Sequence, residues 1–411
     1  MLHWLFEPLV PYFTGFNLFR YVTFRAAFAA ILAFLTVLTL GPGIVAWLRE
    51  RRLHGCAAHD SALLDELRRS KQHVPTMGGL LILLSVSVST LLFARMDNLY
   101  VVVVFLGFLA FGALGSVDDW IKLTVPGRRG LSERRKLWVQ VGIGGAALLV
   151  LYLHANSLDP ARSVRGPSLE PSPYRASATV AELGGAAPPR GTRIGPTEIT
   201  HPAADHRTDL QVPFFKHVCL DLGLAFLLLG LLVVVGSSNA VNLTDGMDGL
   251  ATGCVAIASL TFALVTFLVG RASAADYLYV FHIPGAAELT VFCGALAGAS
   301  LGFLWFNSFP ATVFMGDTGS LALGGGLGLV AVCARQELTL LVAGGVFVAE
   351  AASVILQRRV YRWTGGRRLF RCAPLHHHFE FNRMHEVKVT VRFWIVAVLL
   401  ALFALALFKL R

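Results

Sequence analysis

The stretch LYVVVVFLGFLAFGALGSVDDW, Leu99 to Trp120, decides the fold class of this chain. Between Leu99 and Val117 it holds no charged residue, and a helix of that length crosses the roughly 30 Å of hydrocarbon in a bilayer. Two adjacent carboxylates, Asp118 and Asp119, follow directly. Because charge at the edge of a bilayer is costly, we expect this pair to serve chemistry rather than architecture.

The composition of the whole chain indicates a polytopic membrane protein. Of its 411 residues, 55% are hydrophobic and 15% charged, and the mean hydropathy is +0.65; a soluble enzyme of this length is less apolar. The six cysteines are scattered singly, without the spacing of a zinc site or a disulfide framework. The net charge of +10 fits basic loops facing anionic lipids and phosphorylated substrates, and no organised basic patch predicts nucleic-acid binding.

Ten apolar runs predict an all-α protein, a single transmembrane domain over residues 1–411. Strands of a membrane β-barrel would be about ten residues long and alternating, which these runs are not. The predicted spans are Phe24 to Trp47, Thr76 to Phe93, Leu99 to Val117, Leu137 to Leu153, Val218 to Gly236, Leu250 to Val269, Leu289 to Phe306, Ser320 to Cys333, Leu338 to Val360 and Val391 to Phe408.

Arginine and lysine are concentrated in the loops after the first, third and ninth spans. The positive-inside rule places these loops in the cytoplasm and therefore both termini on the periplasmic side. The long segment Ala155 to Pro213 is rich in Pro, Gly, Ser and Ala and lacks apolar periodicity. We expect it to be an extended, disordered periplasmic insert without a catalytic role; a small periplasmic binding module is the alternative.

Every dense polar cluster falls on a predicted cytoplasmic loop or helix end, which favours one shared site. Successive helical residues point about 100° apart, so Asp118 and Asp119 are expected to have two different roles. The structural alternative is a polar helix end in which Lys122 pairs with both acids.

The segment NAVNLTDGMDGL, Asn239 to Leu250, places polar residues at intervals of three. Asn239, Asn242 and Asp245 therefore share one broad helical face, which we expect to line a pocket. The alternative is helix capping, with Asp248 at the start of the next span.

The segment WFNSFPATVFMGDTGS, Trp305 to Ser320, sets Asp317 between two glycines directly before a span. A helix start attracts phosphate, but Asp317 would repel it unless a cation stood between them. Oxygen ligands of this kind favour Mg²⁺, which commonly takes one or two carboxylates and leaves its other positions to water and phosphate. A capped tight turn is the alternative.

Two further segments carry groups suited to phosphate. APLHHHFE, Ala373 to Glu380, holds three adjacent histidines, which cannot all ligate one metal from a regular helix and so favour hydrogen bonding to phosphate. SKQHVPTMGG, before the second span, supplies Lys71 and Thr76. The alternatives are an exposed polar loop for the histidines and a purely topogenic role for Lys71.

Together the motifs PTMGG, the aspartate pair, NAVNLTDGMDGLA, FNSFPATVFMGDTGS and PLHHHFE resemble those of the phospho-N-acetylmuramoyl-pentapeptide transferases, which belong to the polyprenyl-phosphate N-acetylhexosamine-1-phosphate transferases. The resemblance covers nearly the whole chain. It implies transfer of phospho-MurNAc-pentapeptide from UDP-MurNAc-pentapeptide to undecaprenyl phosphate, giving lipid I and UMP with Mg²⁺ in peptidoglycan biosynthesis. It also implies a homodimer in the bacterial inner membrane with a cytoplasmic active site.

The resemblance further implies residue roles. Asp317 matches the Mg²⁺ ligand, Asp118 the carboxylate closest to the lipid phosphate, and Asp119 its essential neighbour. His376 and His377 match the histidines nearest the substrate. The other residues implied to be catalytic or substrate-binding are Lys71, Thr76, Asn239, Asn242, Asp245, Gly246, Met247, Asp248, Asn307, Phe314, which matches an aromatic that stacks on uracil, and His378.

Three other functions are alternatives to this transferase activity. A relative that uses UDP-N-acetylglucosamine is the nearest, but such relatives show a different histidine pattern. A transporter for lipids or nucleotide sugars is disfavoured because the acids lie at helix ends rather than at midspan, and an inactive scaffold because all the expected acids are present. For the reaction itself we expect direct attack by the lipid phosphate, with attack by Asp118 through an acyl phosphate as the alternative.

Overall fold

A computed structural model describes residues 2–51, 73–125, 130–157, 209–211, 219–278 and 280–409. These residues form a helical bundle, which confirms the predicted all-α class. The helices are α1 (Leu2–Phe6), α2 (Val22–Glu50), α3 (Gly79–Phe93), α4 (Leu99–Thr124), α5 (Glu133–Ser157), α6 (Ala225–Thr244), α7 (Leu250–Val269), α8 (Ala272–Leu278), α9 (Leu289–Asn307), α10 (Gly316–Cys333), α11 (Glu337–Ala343), α12 (Gly345–Trp363), α13 (Leu375–Phe381) and α14 (Glu386–Lys409), with short 3₁₀ helices at Glu7–Leu9, Thr14–Arg20 and Ala286–Glu288.

The described residues contain 8 helices long and apolar enough to cross a membrane, or up to 9 if a bent pair is one span. That pair is α11 and α12, which meet at an angle of 84° around Gly344, so the predicted span Leu338 to Val360 is two helices. The remaining predicted span corresponds to α3, which has 15 residues. Each predicted span thus overlaps a helix or the bent pair, and the count of ten stays a prediction.

Several helix ends differ from the predicted spans, and the differences place polar residues inside helices. α4 continues to Thr124, so the aspartate pair lies on its last turns. α10 begins at Gly316 rather than Ser320, which puts Asp317 in its first turn. α3 begins at Gly79 rather than Thr76, because the preceding residues make backbone hydrogen bonds to a distant loop instead.

The region around the long insert contains two short strands, β1 (Asp209–Gln211) and β2 (Cys219–Asp221), which pair antiparallel. Asp209–Gln211, near the end of the predicted insert, therefore pair with a strand beyond Pro213, and the disordered insert stays a prediction. The same strand delays the next helix, so α6 begins at Ala225 rather than Val218. Residues 158–208, the bulk of the insert, lie outside the described residues.

Helix α10 lies at the centre of the bundle, and 89% of its 18-residue apolar stretch is buried inside the protein. It packs mainly against α4 and α6. The approach to α4 requires glycine, because a Cβ at Gly115 would collide with the backbone carbonyl of Asp317. Helix packing of this closeness is typical of small residues in membranes, and here it brings the ends of α4 and α10 together.

The outer faces of the bundle are apolar. Large side chains such as Leu149, Leu228, Leu232, Leu399 and Leu402 are about half exposed or more. A continuous exposed apolar surface is unusual for a soluble protein and is expected where lipid is the solvent. The fold is accordingly that of a multi-pass membrane protein.

Candidate active site

The site is built around Asp118, on the penultimate turn of α4, whose side chain is buried. Its Oδ1 accepts a 2.6 Å hydrogen bond from the backbone N–H of Leu131. Its Oδ2 lies 2.7 Å from the amine of Lys122 and 3.4 Å from that of Lys136. Both oxygens of Asp118 are therefore held by donors from the chain around it.

The neighbouring Asp119 faces different partners, as the helical geometry predicts. Its Oδ1 accepts a hydrogen bond from the backbone N–H of Asp317 at 3.2 Å. Its Oδ2 accepts from the backbone N–H and the hydroxyl of Thr318, at 2.9 and 2.8 Å. Gly316, at φ +72°, makes room for the carboxylate with a conformation that favours glycine. Asp119 thus caps α10 from another helix.

This cap changes one expectation about the start of α10. The sequence predicts that its N–H groups are available to phosphate, but Asp119 occupies those of Asp317 and Thr318. The Asp317 side chain instead lies with its Oδ2 3.0 Å from Lys122 Nζ and in contact with Lys136 Nζ. Anion binding here consequently depends on these side chains rather than on the helix start.

Oxygen atoms of Asp118, Asp119 and Asp317 lie within 4.8 Å of one another, so the three carboxylates form a group able to hold a metal ion. The hydrogen bonds of Asp119 occupy both of its oxygens. Asp118 and Asp317 are bound mainly by lysine amines, which can move. The donor set therefore fits a hard cation such as Mg²⁺, held by Asp317 with Asp118 beside it.

Lys136 is a residue that the sequence did not single out for the site. It stands in the basic run ERRK at the start of α5, where it is expected to serve topology alone. The structure brings its amine to both Asp118 and Asp317. The apolar helix that follows Lys136 is the available signal, since it marks the lysine as the last charge before the membrane. Lys71 lies outside the described residues.

The turn between α6 and α7 carries Asp245, Gly246, Met247 and Asp248. The Asp248 carboxylate accepts a 3.0 Å hydrogen bond from the backbone N–H of Ala311. It does not cap α7, whose N-cap is Gly249 without a side-chain hydrogen bond, so the capping alternative is wrong. Met247 is buried in the hydrophobic core, so its side chain anchors the turn to the core.

Asn307, at the end of α9, is buried and fastens this turn. Its Oδ1 accepts from the backbone N–H of Gly249 and from the hydroxyl of Thr252, both at 3.1 Å. Its Nδ2 donates to the carbonyl of Val313 at 2.9 Å. These bonds use the amide inside the protein, which indicates that Asn307 shapes the pocket rather than reaching into it.

The loop after Asn307 presents Phe314, and the segment with Thr76 supports it. Phe314 donates its backbone N–H to the carbonyl of Pro75 and accepts from the N–H of Gly78, both at 2.9 Å. The Phe314 and Thr76 side chains are partly exposed. The PTMGG motif thus holds the backbone of Phe314, three residues before Asp317.

The three histidines lie on α13, and His376 lies against the α6–α7 turn. His376 is buried, and a Cβ at Gly246 would collide with its Nε2. His377 Nδ1 lies 2.9 Å from Glu380 Oε2. His378 accepts a hydrogen bond from the backbone N–H of Arg371 at 3.2 Å. The three rings thus have separate partners, and their predicted hydrogen bonding to phosphate stays a prediction.

Glu350, on α12, is a second residue that the sequence did not single out. It is fully buried, accepts the backbone N–H of His376 at 3.2 Å and lies 3.2 Å from His376 Nδ1. A lone acid inside an apolar span is the signal that was available. Burial raises the pKa of the Cys372 thiol above its ordinary value.

The two asparagines of α6 face different surroundings. Asn239 donates to the carbonyl of Val235 and to the Oε1 of Gln140, each at 2.8 Å. Asn242 is partly exposed, and its Nδ2 has no hydrogen-bond partner among the described residues. The Nδ2 atom of Asn242 is thus buried with its hydrogen-bonding capacity unused among the described residues.

Comparison with known proteins places these residues in a family context. The family model described as "Glycosyl transferase family 4" matches residues 198–335. Full-length relatives, each aligned over 100% of both chains, come from Solidesulfovibrio magneticus at 43% identity, Thermodesulfovibrio yellowstonii at 41% and Desulfotalea psychrophila at 43%. Each of the three is named phospho-N-acetylmuramoyl-pentapeptide-transferase.

Proposed function

We propose how this site works from the premise that the chain belongs to the phospho-N-acetylmuramoyl-pentapeptide-transferase family. The protein is a membrane transferase that makes lipid I in peptidoglycan synthesis. Its substrates are a nucleotide-linked sugar peptide and a lipid carrier. We take these to be UDP-MurNAc-pentapeptide and undecaprenyl phosphate, with UMP as the second product. The observation that carries this proposal is the group of three aspartates facing two lysines.

The charges of this group suit a reaction between two anions. Asp118, Asp119 and Asp317 face Lys122 and Lys136, which leaves one formal negative charge. A divalent cation, which Asp317 and Asp118 would hold, would supply the further positive charge that a pyrophosphate and an attacking phosphate require. The two lysine amines are placed to contact phosphate oxygens as well as the carboxylates. Positioning and charge neutralisation dominate phosphoryl transfer, and these side chains supply both.

The environment of Asp118 favours direct attack by the lipid phosphate. Its oxygens accept from Leu131 and contact two ammonium groups, which makes the carboxylate a weak nucleophile. The phosphate of the lipid carrier is itself anionic near neutral pH. Asp118 therefore orients that phosphate and the lysines around it, while an oxygen of the lipid phosphate bonds to the transferred phosphorus and the bond to the UMP oxygen breaks.

The nucleotide and sugar are proposed to lie along the α6–α7 turn. Phe314 offers a partly exposed ring for uracil, and Asn242 an amide donor without a partner among the described residues. Asp245 and Gly246 line the turn, and His377 and His378 lie beside it on α13. His376 is held by Glu350 against Gly246. Lys71 and Thr76 complete the proposed set at the phosphates.

The orientation follows from the charge distribution of the loops. We place the active site on the cytoplasmic face of the inner membrane, where the nucleotide substrate is available, and both termini in the periplasm. The protein is proposed to act as a homodimer. The orientation is tested by labelling single cysteines placed at the two termini with a thiol reagent that does not cross the membrane. Labelling from the periplasmic side only would support this orientation, and labelling from the cytoplasmic side would contradict it.

The function is tested with purified protein, undecaprenyl phosphate and either UDP-MurNAc-pentapeptide or UDP-N-acetylglucosamine. We expect Mg²⁺-dependent release of UMP with UDP-MurNAc-pentapeptide but not with UDP-N-acetylglucosamine. The Asp118→Asn variant should lose that release. Release with UDP-N-acetylglucosamine instead would contradict the substrate assignment. A chiral phosphate in the donor should show inversion at phosphorus; retention would favour a covalent intermediate on Asp118.

A further inference from the structure

Helix α5 carries Lys136 into the site but is the least buried of the candidate membrane spans. Only 17% of its 18-residue apolar stretch is buried inside the protein. Among its described side chains the buried positions form one stripe at intervals of four, namely Gln140, Gly144 and Leu148. The opposite face is exposed and apolar, with Trp138 at 72% exposure. Beside this stripe, Ile143, Ala147 and Leu151 also pack against the core, so α5 is held mainly by apolar contacts, which are less directional than a hydrogen bond.

Gln140 is the polar member of this stripe and lies one helical turn after Lys136, on the same face. Its side chain is fully buried. Its Oε1 accepts from Asn239 Nδ2 at 2.8 Å, and its Nε2 lies 3.4 Å from Asn239 Oδ1 and 3.5 Å from Ser238 Oγ. The two amides therefore face each other as a reciprocal pair between α5 and α6.

The same short piece of α6 is bonded to the helix that carries Asp317. Ser238 Oγ donates to the carbonyl of Leu321 at 3.1 Å, and Leu321 lies one turn after Asp317 on α10. Helices α5 and α10 are thus connected at two levels, one turn apart. Lys136 of α5 pairs with Asp317 of α10 in the site. One turn further along each helix, Gln140 of α5 is connected to Leu321 of α10 through Ser238 and Asn239 of α6.

We propose that Gln140 is a positioning residue for the transfer reaction, which fixes Lys136 against Asp317 and Asp118 by locking α5 to α6 through Asn239. The proposal rests on the function given above and also reassigns Asn239, which the sequence placed among substrate-binding residues. Lysine has a long, flexible side chain, so the place of its amine depends on where its helix is held. The amide pair adds a directional contact to the apolar packing of α5, one turn from Lys136.

The first test is Gln140→Leu, with Val139→Leu as the matched control, since Val139 is the adjacent residue and 46% exposed. We expect kcat to fall about 10- to 100-fold in Gln140→Leu, as for the loss of other groups that orient charged ligands. KM for the donor should change less than about threefold, and Val139→Leu should match the wild type. If Gln140→Leu keeps full kcat while the wild type is active, the proposal is overturned and the proposed function stands.

A second measurement separates positioning from general loss of structure. In a Lys136→Met background, Gln140→Leu should lower kcat by less than about twofold, because the amine that it positions is absent. An equal fold-loss in both backgrounds would mean that Gln140 supports only the fold and would overturn the proposal. If Gln140→Leu does not fold, Gln140→Asn takes its place in the same cycle.

The exchange Gln140→Asn with Asn239→Gln tests the pair directly, since it keeps the combined length of the two side chains. We expect the double variant to recover a substantial part of the kcat that either single change loses. Purely additive losses in the double variant would contradict a reciprocal amide pair. Wild-type protein that releases no UMP would instead refute the proposed function, so the two failures are distinguishable.

Discussion

Two clusters of charge lie at opposite ends of α9, and they are built differently. At its start, Arg25 of α2 forms a bidentate pair with Glu288, both distances being 2.7 Å, and also donates to the carbonyl of Phe93. Beyond its end, Asp118, Asp119 and Asp317 share Lys122 and Lys136. The first cluster is balanced one charge to one, whereas in the second each lysine serves more than one acid.

The contrast separates architecture from chemistry. A closed Arg–Glu pair satisfies its own charges and leaves nothing for a ligand, so its effect is on how α2, α3 and α9 pack. Shared lysines and a surplus carboxylate leave charge that only a further ion or substrate can satisfy. In this protein the incompletely balanced cluster is the one that we propose to be catalytic.

The largest expected effect is on activity and comes from Asp317→Asn. Removing the carboxylate that both lysines contact should lower kcat by about 10³-fold or more, because the proposed metal ligand is lost. UMP release over a range of Mg²⁺ concentrations measures it. The thermal midpoint in detergent should stay close to that of the wild type. Activity restored by higher Mg²⁺ alone to the wild-type kcat would contradict a role beyond binding.

Arg25→Met should act on stability instead. It leaves Glu288 without its partner in a site where the two side chains are 1% and 12% exposed, which costs about 3–5 kcal/mol for a buried pair. We expect a clear fall in thermal midpoint and unchanged kcat per folded molecule. The double variant Arg25→Met with Glu288→Met should regain part of the lost stability. A fall in kcat at unchanged stability would break the comparison.

Lys136→Met should separate binding of a metal from catalysis. Removing one ammonium group from three carboxylates raises the local negative charge, so titration of the substrate-free protein should give tighter Mg²⁺ binding. The kcat should fall about 10²-fold, since a positive charge at the phosphates is lost. Weaker Mg²⁺ binding in this variant would show that the lysine does not compete with a cation.

Asp119→Ala should destabilise the protein less than Arg25→Met does. It removes the acceptor for two backbone N–H groups and one hydroxyl at the start of α10, and loss of a helix cap typically costs about 1–2 kcal/mol. We expect a lower thermal midpoint together with reduced kcat, because Asp317 lies on the turn that is released. Asp119→Asn, which keeps an acceptor, should retain more of both.

The parts of the site that the sequence predicted are those whose chemistry is local. Asp118 and Asp317 stand out because each is an acid at the end of an apolar run, and the NAVNLTD face because its spacing is helical. The contacts that the sequence did not predict act across long separations. Asp119 bonds to Thr318 at a separation of 199 residues, and Lys136 reaches Asp317 at 181. No local pattern reports such partners.

The bend between α11 and α12 shows the same limit in the fold. A run of apolar residues from Leu338 to Val360 has the length of one span, but the chain turns by 84° at Gly344. Glycine permits such a turn without requiring it. The bend follows from the packing of α11 and α12, which pack mainly against different helices, α14 and α6 respectively.

The sequence by itself determined the membrane class, the approximate positions of the helices and which polar side chains are candidates for the chemistry, because hydropathy, helical period and charge are properties of short segments. The tertiary structure decided what each polar group does. Only helix packing makes Asp119 a cap rather than a ligand, brings Lys136 to the acids, and sets Gln140 against Asn239, since a charge or an amide acts on whatever the fold places within a few ångströms of it.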